Sequence, residues 1–234
     1  MFVSRMTGVV LALATLSGAC GTATDPAGQS SASSRETVVL LRQESGAGAA
    51  SRAALAVAAA GKISLADVKS IDVTITQVQA LPAGANENAE GGWMSLPVVS
   101  GGKLNLVALP TQAGNAIQLA RGTLPAGNYQ HLRLLFTDNA TITFARDVTA
   151  GGGAAAVTYK ANTAYPLDIP GASKSGIKVP LGTFTVPATG GATIDVTFSG
   201  SATVGSVQPN VVATPHGVKM TPVLVARGKA GSGT

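Results

Sequence analysis

The chain contains few of the residues on which enzymes and nucleic-acid-binding proteins depend. Of its 234 residues, 12% are charged, 4% are aromatic, two are histidine and one, Cys20, is cysteine. A single cysteine excludes an intramolecular disulfide, so a packed core must stabilise the fold. The formal net charge is +5, but the basic residues stand singly, whereas a nucleic-acid-binding surface needs them clustered. We therefore expect no nucleic-acid partner.

The first residues predict export and a lipid anchor. Arg5 supplies a positive start, and residues 8–19 form an apolar segment that is too short to span a bilayer. Small residues directly before Cys20 resemble the lipobox of bacterial lipoproteins, although Leu16 lies one place further from the cysteine than is usual. The sequence therefore predicts a signal peptide over residues 1–19 and lipidation of Cys20.

The remainder divides into a tether and one domain. Residues 20–35 are rich in Ser, Thr, Ala and Gly, which is typical of a flexible linker. Glycine rather than aspartate follows the cysteine, a pattern of outer-membrane lipoproteins, so we expect an anchored protein that faces the periplasm or the cell surface. We predict a domain over residues 36–229, with an alanine-rich insert at 46–61 and a disordered tail at 230–234.

Hydrophobic residues alternate with polar ones along most of this domain, which is typical of half-buried strands. Ile71, Val73 and Ile75 are one example, and Gly, Pro and Asn separate the runs, with a hairpin turn predicted at Asp138–Asn139. The pattern predicts an all-β fold, a single antiparallel β-sandwich. Further runs are Thr37 to Leu41, Leu104 and Leu106, Ile117 and Leu119, Leu132 to Phe136, Ile142 and Phe144, Ile177 to Leu181, Ile194 to Phe198, and Val218 to Leu224.

Several of these segments resemble an uncharacterised bacterial lipoprotein family, domain of unknown function 4382. The segments are VTITQV (73–78), GW (92–93), LNLVAL (104–109), LPAGNYQHLRL (124–134), SGIKVP (175–180), TIDVTF (193–198) and MTPVLV (220–225). The resemblance implies an immunoglobulin-like or transthyretin-like β-sandwich on a lipid tether, with no assigned reaction.

The chain departs from the family pattern after the first strand and in two positions near the last strands. Arg42-Gln43-Glu44 stands where a short acidic segment is expected after the first strand. The aspartate expected two places after Asp195 and the usual tyrosine before the last strand are also missing. We therefore expect no acidic ion site at that end of the fold.

The candidate catalytic residues stand without partners in the sequence. His131 is predicted to share an outer strand face with Tyr129 and Arg133, and His216 to lie in a turn. Neither histidine has a neighbour at metal-ligand spacing, so we predict no metal site and no cofactor.

The sequence also contains one S-x-x-K string and several separate carboxylates. Ser175 and Lys178 match an S-x-x-K string, but a strand would point them to opposite faces, which predicts a chance match. The candidate carboxylates stand singly, and a hydrolase of envelope polymers would need two of them to converge. They are Asp138, Asp147, Asp168 and Asp195.

Trp93, the single tryptophan, lies in a glycine-rich segment. It either caps the core, which the usual burial of tryptophan favours, or forms a platform for a ligand.

We predict a non-enzymatic envelope module that binds a protein or glycan, or acts as a scaffold. Its binding loops would be those near Trp93 and at 150–154. The alternatives are a glycan hydrolase and a carbohydrate-binding accessory protein.

Overall fold

The computed structural model describes residues 36–45, 63, 65–99, 103–150, 156–200, 211–214 and 217–230. The chain divides into the units Met1–Ser31 and Ala32–Thr234, and every described residue belongs to the second unit. The predictions for the signal peptide, Cys20, the tether, the alanine-rich insert, the binding loop at 151–154, His216 and residues 231–234 of the tail lie outside the described residues. Residue 230, the first of the predicted tail, ends a strand. No helix among the described residues is both long enough and apolar enough to cross a membrane.

Strands dominate the described residues, which confirms the all-β prediction. Short 3-10 helices cover Leu65–Asp67, Leu106–Ala108 and Ala113–Asn115. The strands are β1 (Glu36–Gln43), β2 (Val68–Pro82), β3 (Met94–Leu96), β4 (Lys103–Asn105), β5 (Ile117–Thr123), β6 (Gly127–Phe136), β7 (Thr141–Phe144), β8 (Val148–Ala150), β9 (Val157–Tyr159), β10 (Ala164–Asp168), β11 (Ile177–Val186), β12 (Ala192–Phe198), β13 (Val211–Thr214), β14 (Gly217–Met220) and β15 (Leu224–Ala230).

The first sheet has the strand order β15-β12-β1-β5. β1 is antiparallel to β5 but parallel to β12, so the sandwich, otherwise largely antiparallel, contains a parallel pair at this point. The predicted alternation is present, because Val39 and Leu41 of β1 and Ile194, Val196 and Phe198 of β12 are fully buried. These side chains form one wall of the core.

The second sheet is built around the long strand β2. β6 pairs with Ile75–Pro82, β7 pairs with Val68–Asp72, and both run antiparallel to β2. β11 pairs with β6 and β10 with β7, while β3 and β4 also pair with β2. β14 and β13 extend the sheet beyond β10, and β8 and β9 form a separate hairpin.

The predicted hairpin turn at Asp138–Asn139 is wrong. β6 and β7 run in the same direction, so residues 137–140 interrupt a strand instead of reversing the chain. The backbone N–H of Thr137 still donates to the carbonyl of Thr74 (2.9 Å), and the Thr137 hydroxyl donates to the Asn139 side chain. The polar pair therefore allows a break in the strand while the chain stays beside β2.

The predicted strand through Leu104 and Leu106 is half right. β4 ends at Asn105, whose side chain accepts a hydrogen bond from the backbone N–H of Val107 (3.0 Å) and caps a 3-10 helix. Leu106 is still buried, because the helix turns it towards the core. The alternation of apolar residues alone does not predict a cap formed by an asparagine side chain.

The two sheets meet at both of their lateral edges. At one edge, the N–H of Val99 donates to the carbonyl of Leu119 (2.9 Å) and the N–H of Arg121 donates to that of Pro97 (3.0 Å). These bonds join the segment after β3 to β5 of the first sheet. At the other edge, the ring of Phe184 in β11 lies against Gly228 in β15. The core is therefore enclosed by a nearly continuous wall of strands.

Candidate functional site

A row of polar side chains crosses the outer face of the second sheet. Ser95, Gln79, Arg133 and Lys178 are register neighbours on β3, β2, β6 and β11. Gln79 donates from Nε2 to the Ser95 hydroxyl (3.2 Å) and accepts from Arg133 Nε at its Oε1 (2.7 Å). The bonds fix the Arg133 guanidinium in place on this face.

The segment of residues 83–93 folds over this row. The guanidinium carbon of Arg133 lies 4.4 Å from the centre of the Trp93 ring, which is the geometry of a cation–π contact. Arg133 Nη2 lies 4.0 Å from a carboxylate oxygen of Glu90, and Lys178 donates to the side chain of Asn88 (3.1 Å). Arg133 is 6% exposed although it stands on the outer face, because the segment covers it.

Gly176 makes room for Arg133. Its φ is +68°, and a Cβ at this position would lie 2.6 Å from Cγ of Arg133. Any other residue would therefore be strained in its backbone and would displace the arginine. The glycine of the SGIKVP segment therefore allows Arg133 to keep its position on the outer face.

Trp93 is not a core residue, so the interpretation favoured by the sequence is wrong. Its side chain is partly exposed and stands outside the buried hydrophobic cluster. Its indole Nε1 is buried and has no hydrogen-bond partner among the described residues. Aromatic content alone could not reveal this, because the partner that attracts the ring is an arginine 40 positions away on another strand.

The predicted outer face of β6 is only partly correct. His131 and Arg133 lie on it, and His131 Nε2 is 3.5 Å from a carboxylate oxygen of Glu87. Tyr129 instead lies in the core, where its hydroxyl donates to the carbonyl of Pro125 (2.9 Å) and its ring centre is 6.4 Å from that of Phe184. Burial raises the pKa of the Tyr129 hydroxyl above its usual value.

A β-bulge explains the position of Tyr129. His131 pairs with Leu81 of β2, while Tyr129 pairs with the next residue, Pro82. The two-residue step on β6 therefore faces a one-residue step on β2, which shifts the side-chain alternation by one.

We define the outer-face cluster as Gln79, Glu87, Glu90, Trp93, His131 and Arg133.

Ser175 and Lys178 have separate partners. The Ser175 hydroxyl donates to the carbonyl of Gly171 (3.0 Å) within a turn, whereas Lys178 stands in β11 and contacts Asn88. The S-x-x-K string therefore spans a turn and a strand instead of one helical turn.

The four candidate carboxylates fall at three places. Asp195 accepts from Nε of Arg42 at both oxygens (3.1 and 3.0 Å). Asp147 accepts from Lys160 (2.8 Å) and from the backbone N–H of Ala161 (2.8 Å). Asp138 and Asp168 both line one cavity. Among the described residues, no group of three or more His, Cys, Asp or Glu side chains could hold a metal ion.

Two of the sites that depart from the family pattern, the segment after the first strand and Thr197, lie on one cavity. Arg42 and Thr197 are register neighbours on β1 and β12, and both line a cavity with Glu44. Arg227 of β15 lies on the same cavity, and nothing in the sequence connected it to Arg42. The departures were visible in the sequence, but their convergence depends on the pairing of β1 with β12, which are far apart in the chain.

Comparison with known families identifies the domain. The family described as Domain of unknown function (DUF4382) matches residues 58–206, which is more than half of the chain. The chain belongs to the DUF4382 family. The match covers β2 to β12 and therefore includes the whole outer-face cluster. Neither the curated proteins nor the solved structures include a significant match to the chain. The DUF4382 family carries no function that could be transferred, so function must be argued from the surfaces of this domain.

Proposed function

We propose that this DUF4382 protein is a lipid-anchored, non-enzymatic binding module of the cell envelope, and that the outer-face cluster contacts its ligand. The position of Trp93 carries the proposal. In a chain with 4% aromatic residues, the only tryptophan stands outside the core, beside a segment of polar and glycine residues. Tryptophan is among the residues most enriched at the centres of binding surfaces, and Trp93 is partly exposed.

The chemistry of the cluster supports binding of a polar partner. Arg133 is hydrogen-bonded to Gln79 and contacts the Trp93 ring, so the ring would lose little side-chain freedom when a ligand binds to it. Glu90 remains 89% exposed at its side chain and offers an acceptor at the rim. A protein or a glycan could both use such a surface, since both present hydrogen-bond donors next to apolar patches.

Anchoring at Cys20 places this module at a membrane. Support comes from the apolar segment of residues 8–19, the small residues before the cysteine and the Ser- and Gly-rich residues after it. We propose an outer-membrane location with the domain facing the periplasm or the cell surface. Protease treatment of intact and permeabilised cells distinguishes the two faces.

The binding proposal can be tested by photo-crosslinking in living cells. A photoreactive amino acid is placed at Glu90 in the full-length protein, with the same substitution at exposed Gln112, before β5, as the matched control. We expect discrete adducts from position 90 and none from position 112. Trp93→Ala in the same chain should remove the adducts while membrane association is unchanged.

Adducts that are equally frequent at both positions, or that survive Trp93→Ala, would overturn the assignment of the binding surface. Absence of adducts from both positions, together with no retention of the protein on isolated envelope polysaccharide, would overturn the binding function itself.

One observation favours a second candidate, a glycan hydrolase. Asp138 and Asp168 line a single cavity of about 220 Å³ together with Thr137. Paired carboxylates in a cleft are the groups that cleave glycosidic bonds. Lys219 lies 3.6 Å from the Asp168 carboxylate. Release of reducing sugar from envelope polysaccharide that is lost in both Asp138→Asn and Asp168→Asn would support this function, and no release by the unaltered protein would exclude it for that polymer.

A further inference from the structure

A cavity of about 260 Å³ opens on the first sheet, which does not carry the outer-face cluster. Arg42 of β1, Thr197 of β12 and Val225 of β15 are register neighbours across it. Arg227, Glu44 and two serines complete its lining. We refer to this as the arginine cavity.

Arg42 is held in a fixed position beside the cavity. Its Nε donates to both oxygens of Asp195 (3.1 and 3.0 Å), and both side chains are largely shielded from solvent. Because these bonds use Nε, the Asp195 carboxylate does not engage the two terminal nitrogens. A guanidinium with its terminal nitrogens available is suited to a carboxylate, which it can bind through two parallel hydrogen bonds.

Arg227 contributes a second guanidinium that forms no ion pair within the described residues. It stands opposite Asp195 in the pairing of β12 with β15, but Asp195 is bound to Arg42. Within the described part of the chain, Arg227 makes neither a hydrogen bond nor an ion pair, and it is exposed. The Arg227 guanidinium is therefore open to a ligand of opposite charge, and the Glu44 carboxylate on the same cavity balances the formal charge without pairing with it.

The remaining lining is suited to hydroxyl groups. Glu44 accepts a hydrogen bond from the Ser199 hydroxyl, and its backbone N–H is bound to the carbonyl of Phe198 (2.9 Å), so its carboxylate is held at the rim. Ser45 and Thr197 add hydroxyls that can donate and accept. Val225 is 43% exposed and offers an apolar side.

We propose that the arginine cavity binds a carboxylated sugar unit, of the uronic acid class. The sugar carboxylate would lie between the two guanidiniums, its hydroxyls would donate to Glu44, and its C–H face would pack on Val225. A phosphate monoester fits less well, because the Asp195 and Glu44 carboxylates would repel its additional negative charge. The site is on the other sheet from the outer-face cluster, so it does not depend on that surface being the binding surface.

The test compares sugars that differ at one carbon. D-glucuronate, D-glucose and glucose 6-phosphate present a carboxylate, a hydroxymethyl group and a phosphate on the same ring, and D-galacturonate and D-mannuronate extend the panel. Binding to the purified full-length protein is measured by NMR shifts of the Thr197 and Val225 amides. We expect saturable shifts with at least one uronate, weaker shifts with glucose 6-phosphate and none with glucose.

Three variants distinguish specific uronate binding in the arginine cavity from a non-specific attraction of anions to the positive surface. Arg227→Gln should weaken uronate binding about tenfold, the loss expected for one charge-assisted hydrogen bond. Lys229→Gln is the matched control, because Lys229 is exposed on the same strand and face two residues further on, and it should change binding by less than about twofold. Thr197→Val, which keeps the shape of the side chain, should weaken binding without affecting folding.

The proposal is overturned if no uronate binds better than its neutral parent sugar. It is also overturned if glucose 6-phosphate binds as tightly as the uronates, or if Arg227→Gln and Lys229→Gln have equal effects, since either result indicates non-specific attraction.

Discussion

The ring of Phe184 in β11 lies directly against the backbone of Gly228 in β15, where the second sheet meets the first. Phe184 is 3% exposed, although Gly228 belongs to a strand at the edge of its sheet. A Cβ at position 228 would overlap the ring. The glycine therefore permits an aromatic residue to seal this edge of the core.

Replacement of Gly228 should destabilise the domain. Gly228→Ala forces the ring of Phe184 out of its position, and overpacking of this kind costs about 1–3 kcal/mol of unfolding free energy. Urea unfolding followed by circular dichroism measures the loss. Gly114→Ala is the control, since a Cβ there meets nothing within 4 Å, and it should change stability by less than about 0.5 kcal/mol. Equal stability of the two variants would contradict the described contact between Phe184 and Gly228.

Truncation of Trp93 should cost far less stability than truncation of a core aromatic. Trp93→Ala removes a cation–π contact with Arg133, worth about 0.5–1 kcal/mol. Phe198→Ala removes a fully buried side chain and should cost about 3–5 kcal/mol. Thermal or urea unfolding compares the two variants. A loss for Trp93→Ala as large as that for Phe198→Ala would place the tryptophan in the core after all.

The ion pair of Asp147 and Lys160 predicts a loss of stability in acid. The hydrogen bond from Lys160 lowers the pKa of the Asp147 carboxyl below its usual value, and a hydrogen bond from the N–H of Ala161 acts in the same direction. Because the folded pKa lies below the unfolded value of about 3.9, the contribution is complete above that pH and is lost as pH falls through the folded pKa.

This titration can be followed at the Asp147 carboxyl carbon by NMR. In Lys160→Met the main cause of the shift is removed, so the pKa of Asp147 should move back towards its usual value. An unchanged titration in Lys160→Met would show that the hydrogen bond described here does not form in solution.

Loss of Cys20 should release the protein from the membrane. Cys20→Ala removes the thiol to which a lipid would be attached, so fractionation should recover the domain in the soluble fraction. Ser34→Ala, in the predicted tether, should remain membrane-bound. Continued membrane association of Cys20→Ala would refute the lipoprotein proposal and leave the proposed binding surfaces unaffected.

The sequence was sufficient where one face of a strand is buried and the other is solvated. Ile71, Val73 and Ile75 of β2 are buried as their alternation predicts, and so are Ile194 and Val196 of β12. When one face of a strand is buried, every second residue is hydrophobic, and this alternation can be seen directly in the sequence. The DUF4382 resemblance was recognisable for the same reason, because its segments are mostly these strands.

The failures concern residues whose position depends on a distant partner. Asp138 and Asn139 are typical turn residues, but pairing of the flanking strands with β2 makes them a strand interruption. A bulge moves Tyr129 into the core, and Arg133 draws Trp93 to the outer face. Each of these positions depends on a contact with a residue that is distant in the chain. The alternation of hydrophobic residues therefore could not predict them.

The position of β1 has a mechanical consequence. The strand is paired with β12 along Thr37–Gln43 on one side and with β5 along Glu36–Leu41 on the other, and β12 runs in the same direction as β1. Tension applied at residue 36 along the strand would load the hydrogen bonds on both sides simultaneously, in shear, instead of opening them one after another. A domain pulled from its N-terminal end while its surface is held would therefore yield only when an interior strand slides out of its sheet.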